Sequence, residues 1–132
     1  MRPLLPLALL LLLSACVHRP EPASYTSVPQ TLTASGDWDD LDAAVLAGGF
    51  KVEMGLVDVI ADDPAKPRAF HLITSNDEPV LVLAARRGQA IDLEARVGHF
   101  GDSGRESALL AAIRDRLATL DDHDSAPIRG YP

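Results

Sequence analysis

Apolar and polar positions change period several times along the chain, and each change marks an element. Trp38, Leu41, Val45 and Leu46 recur at spacings of three and four, which puts them on one face of a helix opened by Ser35-Gly36-Asp37. Gly48-Gly49 reads as its stop. From Phe50 the period falls to two. Phe50, Val52, Met54 and Leu56 share one parity, Lys51 and Glu53 the other, and Val57 and Val59 reverse the phase beside Gly55. A bulge or bend is therefore predicted in a strand from Phe50 to Ile60. Asp62-Asp63-Pro64-Ala65-Lys66-Pro67 is a turn by composition, Arg68 to Thr74 a second strand, and Ser75-Asn76-Asp77-Glu78-Pro79 another turn. Val80 to Ala85 is apolar at every position, the pattern of a strand that is central in its sheet or covered on both faces. After Arg86-Arg87-Gly88-Gln89, residues Ile91, Leu93, Ala95 and Val97 alternate with Asp92, Glu94 and Arg96, which predicts a half-buried strand with one wet face. A last helix follows. Ser103 stands at its cap position, Glu106 comes three residues on as in a capping box, and Leu109, Ile113, Leu117 and Leu120 form an apolar stripe. Arg114 and Arg116 turn to water.

Short connections between successive strands predict antiparallel hairpins, and two helices that bracket the strands can both cover one face. The expected fold is α+β, a two-layer sandwich with an antiparallel sheet of about four strands under two helices. Tyr25 to Thr33, with Tyr, Val, Leu and threonines, adds a first strand, which Pro29 confines to an edge. The order is then β-α-β-β-β-β-α over residues 24–120, with 121–132 a loose tail of Asp, His, Ser, Pro and Gly.

The N-terminus changes the picture from a free domain to a tethered one. Met1-Arg2 is positive, Leu4 to Leu13 is an apolar run broken by Pro6, and Ser14-Ala15 are small, as in an export signal. Crossing a bilayer takes roughly 20 apolar residues, and this run is too short. The only cysteine, Cys16, ends Leu13-Ser14-Ala15-Cys16, which resembles the lipobox of bacterial lipoproteins. That likeness implies cleavage between Ala15 and Cys16, removal of residues 1–15, and acylation of the Cys16 thiol, with palmitate among the chains. Each buried methylene contributes roughly 0.8 kcal/mol, so two or more chains anchor durably. Residues 16–23, with Pro20 and Pro22, read as the lipidated cysteine and an extended tether. Val17 follows the cysteine where an aspartate would imply inner-membrane retention, so the expected location is the periplasmic face of the outer membrane. A net charge of −7 without a basic stretch argues against a nucleic-acid partner. The membrane is then met through the anchor, not the domain surface.

Ala95-Arg96-Val97-Gly98-His99-Phe100-Gly101-Asp102, running from a strand into a capped helix, resembles the closing segment of a family of small bacterial envelope lipoproteins of unknown function. Those end in arginine-valine-glycine, one variable residue, phenylalanine-glycine-aspartate, then a helix. The likeness extends loosely back to Trp38 with Ala43-Ala44 and to Gly49-Phe50-Lys51-Val52. It implies a lipoprotein signal and a compact α/β domain, and no reaction. His99 at the variable position and the acidic tail depart from the pattern. Physically, Gly98 and Gly101 let the chain bend, Phe100 pins the bend into the core, and Asp102 or Ser103 caps the helix.

No candidate chemistry outweighs a structural reading. Gly101-Asp102-Ser103-Gly104 matches the surroundings of a trypsin-like nucleophile, yet Arg105 follows where those enzymes have glycine, and no Ala-Ala-His-Cys segment precedes it. The aspartates from Asp37 to Asp42 lie within a helical apolar pattern, not on a glycine-turned calcium loop. His71 and His99 fall in expected strands, His99 at the rim of the core, and lack a second ligand at metal-like spacing; Asp121-Asp122-His123-Asp124 reads as a solvated tail. The expectation is a non-enzymatic binding or assembly module without metal or cofactor, meeting an envelope protein through the wet face that carries Asp92, Glu94 and Arg96. The alternative is a small hydrolase or ligand-binding enzyme using His99, Asp102 and Ser103.

Overall fold

Five strands and two helices follow one another in the order β-α-β-β-β-β-α in the computed structural model, which describes residues 28–61, 63 and 65–124. The signal segment, Cys16, the tether and residues 125–132 lie outside the described residues. The elements are β1 (Gln30–Ser35), a 3-10 turn (Trp38–Asp40) that leads into α1 (Leu41–Lys51), β2 (Met54–Ile60), β3 (Arg68–Thr74), β4 (Pro79–Arg87), β5 (Ala90–Val97) and α2 (Ser103–Asp124).

The sheet order is β1-β5-β4-β3-β2, and every neighbouring pair is antiparallel. β2 to β5 form a meander, and β1 lies outside β5. The edge strand is thus present, and it begins at Gln30; the next β5 amide on that side, Val97, is taken by the Glu106 carboxylate instead of by a strand. β1 and β2 occupy opposite edges, so the chain between them must cross the sheet. α1 makes that crossing over β2, α2 returns over β1 and β5 on the same face, and the helices pack side by side. Between them and the sheet lies one core. Phe70, Leu72, Val80, Val82, Ala84, Ile91, Leu93, Ala95 and Val97 point up into it, and Leu41, Val45, Leu109, Leu110, Ile113 and Leu117 close it from above.

Turn chemistry sets the registers. Gly88 takes φ +61 between the paired residues Arg87 and Ala90, as the first residue of a two-residue hairpin turn requires. Between β3 and β4, Asp77 adopts φ +61, the Asp77 amide donates to the Thr74 carbonyl and the Thr74 amide to the Glu78 carbonyl (3.1 and 3.0 Å). The pattern is a type I turn closed by a left-handed residue.

Gly48-Gly49 is not the stop of α1. The helix runs through both to Lys51, and the chain reverses at Glu53, whose φ is +62 and whose amide donates to the Phe50 carbonyl at 3.2 Å. The glycines serve packing. A Cβ on Gly48 would stand 2.9 Å from the backbone nitrogen of Ile113 in α2, and one on Gly49 would stand 3.0 Å from the Met54 carbonyl oxygen in β2. Absent side chains let α1 sink against α2 and the sheet at once. The buried stripe is accordingly Leu41, Ala44, Val45, Gly48 and Gly49, whereas Leu46, expected on it, is 54% exposed. Phe50 belongs to the helix and is exposed, so the strand expected from Phe50 starts at Met54. Its bulge is real, falling between Leu56 and Asp58. A left-handed non-glycine residue costs roughly 1 kcal/mol, so Glu53→Gly is expected to raise unfolding stability by about that amount in a denaturant titration.

α2 buries Leu109, Ile113 and Leu117 as expected and half-buries Leu120. It extends to Asp124, so residues 121–124, expected in the tail, form its last turn.

Candidate functional site

Two regions bear on function, the bend from β5 into α2 and the face of the sheet that is uncovered among the described residues. At the bend β5 ends with Val97, and Gly98 and Gly101 take φ +72 and +80, the left-handed turns expected of them. Of the two residues expected to cap the helix, Asp102 holds the position and Ser103, the one matched to a capping box, does not. Its Oδ1 accepts from the Arg105 amide (3.1 Å), and its carbonyl accepts the first helical bond, from the Glu106 amide (2.9 Å). Glu106 reaches back, as in a capping box, but does more. Its Oε1 accepts from the Asp102 amide and from the Val97 amide, each at 3.0 Å, and the residue is 1% exposed. β1 has ended before this point, so the carboxylate takes the place of the missing strand at the end of β5. Arg105 then pairs with Glu78 at 2.8 Å and ties the β3–β4 hairpin to the helix.

Phe100 does not pin this bend into the core. It is 72% exposed, because Gly98 and Gly101 turn the loop outward and Glu106 already fixes it from within. His99 lies beyond the strand and is exposed, rather than at the rim of the core. Ser103 occupies the first helical position and is also exposed. Among the described residues no hydrogen bond joins His99 to Asp102 or Ser103, and the Asp102 carboxylate is engaged by the helix. Asp102→Ala is expected to cost about 1 kcal/mol of stability, and Ser103→Ala less than about 0.5 kcal/mol. Thermal unfolding of the two variants checks the order; the reverse order would return the cap to Ser103.

The other acidic residues are also placed structurally. Asp37 caps the 3-10 turn by accepting from the Asp39 amide at 3.0 Å, and Asp42 pairs with Arg68 at 2.7 Å. That guanidinium lies 4.9 Å over the Trp38 ring, which fastens the start of β3 to the start of α1. Among the described residues no three His, Cys, Asp or Glu side chains gather as metal ligands would.

The uncovered sheet face has a different character. Both helices lie on one side, so alternate residues of every strand are left on the other. There β5 presents Asp92, Glu94 and Arg96, the residues expected on the wet face, all half-buried. Opposite them in β4 stand Ala85, Leu83 and Leu81, and the rows continue to Ala69 and Ile60 or to His71 and Asp58. β1 adds Thr31 beside Glu94 and Thr33 beside Asp92. Asp92 is held from two sides, by the Thr33 hydroxyl and by Arg87, each at 2.8 Å. A groove of about 460 Å³ runs along this face, with Leu83, Ala85 and Pro67 apolar and Thr31, Thr33, Asp92 and Glu94 polar. Ile60 and Ile73 are exposed on the same face, 44% and 38%. The sequence pattern pointed to the charged half of this surface and missed the apolar half. The signal was there in Val80 to Ala85, whose alternate positions must face outward once both helices share one side.

No protein-family model matches the chain, and no curated protein matches it. The likeness to small envelope lipoproteins rests on the residues quoted for it alone. Among the described residues no helix is long and apolar enough to cross a membrane.

Proposed function

We propose that this is a lipid-anchored cell-envelope protein, held through an acylated Cys16, whose domain is a non-enzymatic binding or assembly module. The observation that carries the binding role is β4, which is apolar on both faces and, among the described residues, covered on one. Among the described residues, Leu81, Leu83 and Ala85 are half-buried by their neighbours in the sheet alone. A central apolar strip with a charged and hydroxyl-bearing rim is the usual composition of a protein-docking surface. Leu13-Ser14-Ala15-Cys16 supports the anchor, Val17 supports the periplasmic face of the outer membrane, and the likeness to envelope lipoproteins agrees with both. The groups at the β5–α2 bend support structure rather than catalysis, since Asp102 and Glu106 engage their carboxylates with backbone amides.

The partner is a protein of the same envelope. Cross-linking of the full-length chain in its membrane, with wild type compared against Leu83→Arg and Glu94→Lys, tests this. The expected result is a recurrent neighbour that both substitutions remove and that Ala118→Arg, on the outside of α2, leaves in place. An unchanged set of neighbours in all variants would overturn the surface assignment.

A further inference from the structure

The two edges of the sheet are built differently, and the difference points to a partner. β2 is a guarded edge. It carries a bulge between Leu56 and Asp58, places a charge at Asp58, and uses that carboxylate to take up the neighbouring Val59 amide at 2.8 Å. Such devices stop another strand from adding to an edge. β1 has none of them. Gln30-Thr31-Leu32-Thr33-Ala34-Ser35 is uncharged, pairs with β5 in unbroken register, and among the described residues has no strand on its outer side.

The directions of the β1 backbone groups follow from the far end of β5. The Gly98 amide donates to the Pro79 carbonyl, on the β4 side, and the Val97 amide turns to the opposite side, where Glu106 accepts it. Amides alternate along a strand, so the odd-numbered residues of β5 face β1. Their partners Gln30, Leu32 and Ala34 face back. Thr31, Thr33 and Ser35 therefore direct their N–H and C=O groups outward from the free edge.

We infer that β1 pairs edge to edge, antiparallel, with β1 of a second copy of this chain, about a two-fold axis at Thr33. In that register Thr33 meets Thr33 and Thr31 meets Ser35, and every outward donor finds an outward acceptor without opposing charges. An axis at Leu32 would instead set Ser35 against Pro29, which has no donor. Closed two-fold pairing through one self-complementary patch is the commonest way for a chain to associate with itself. The stretch from Cys16 to Gln30 can reach roughly 50 Å at full extension, and a two-fold axis along the membrane normal brings both cysteines to one height. That last point rests on the anchor reading, whereas the pairing itself does not. Thr31 and Thr33 also form the outer wall of the open-face groove, so pairing sets the two grooves side by side as one trough.

The test uses the full-length chain in mild detergent, with and without Cys16→Ser. Wild type should sediment as a dimer. Thr33→Cys should oxidise to a disulfide-linked dimer, because Cα atoms about 5.5 Å apart across an antiparallel pair lie within disulfide reach. Val57→Cys, on the guarded edge, should not. Thr33→Pro removes an outward amide and no backbone bond to β5, and beyond the amide it loses only the exposed hydroxyl bond to Asp92, so it should give a monomer with an unchanged circular dichroism spectrum. A monomeric wild type, a Thr33→Pro variant that remains dimeric, or equal cross-linking through Val57→Cys would overturn the pairing. A monomer that still cross-links an envelope neighbour through the Leu83 surface would sink the pairing alone, and a dimer without such a neighbour would sink the docking role alone.

Discussion

Glu106→Leu is expected to destabilise the domain by about 3 kcal/mol, the largest effect of any single change at the β5–α2 bend. Leucine keeps most of the volume and removes the acceptor. The Val97 and Asp102 amides, each bonded to Oε1 at 3.0 Å, would then be left without a partner. A buried donor without a partner costs roughly 1–3 kcal/mol, and the Asp102 amide is the less enclosed of the two. In a domain of this size the loss corresponds to a fall in melting temperature of roughly 10–20 °C. Glu106→Gln should lose only about 1 kcal/mol, because the amide oxygen can still accept both bonds without the strengthening that a full charge provides. Thermal unfolding of the pair separates the causes. Equal losses would place the role of Glu106 in packing, and a Glu106→Leu variant as stable as wild type would remove it from the bend.

Gly48→Ala is expected to cost about 2 kcal/mol, although alanine in an unobstructed helix would gain about 1 kcal/mol over glycine. The new Cβ would lie 2.9 Å from the nitrogen and 3.0 Å from the Cα of Ile113, both backbone atoms that cannot rotate away. α1 and α2 would have to separate, which loosens the shared contacts of Val45, Ile113 and Leu117, and overpacking of this kind costs roughly 1–3 kcal/mol. Denaturant unfolding reads the sign directly. A stabilised variant would mean that the helices do not cross so closely.

The strands from Arg68 to Val97 were legible because each is an alternating or continuous apolar run bounded by its own turn residues. Other features required knowledge of what lies across the fold. Gly48-Gly49 reads equally as a helix stop or as a seam between a helix and two neighbours, and only the position of Ile113 and Met54 distinguishes them. The true reversal, at Glu53, uses a residue type that carries no signal for left-handed backbone. Phe100 lies in a glycine-framed bend that can turn its ring either way, and periodicity does not extend into the bend. The Asp102–Glu106 cap was half visible, since the acidic residues are local, but the bond from Val97 arises only after the chain has folded back. For the candidate surface, alternation along β5 gave Asp92, Glu94 and Arg96. The apolar half in β4 depended on which side the helices take, a question of topology.

The central proposal is that the domain acts while held to a membrane at Cys16, and the most direct measurement is the mass of the N-terminal peptide of the protein isolated from its native envelope. A chain that begins at Cys16 and carries the added mass of acyl chains, released to the soluble fraction by Cys16→Ser, is the predicted result. A chain that still begins at Met1, or one with a free Cys16 thiol, would contradict it.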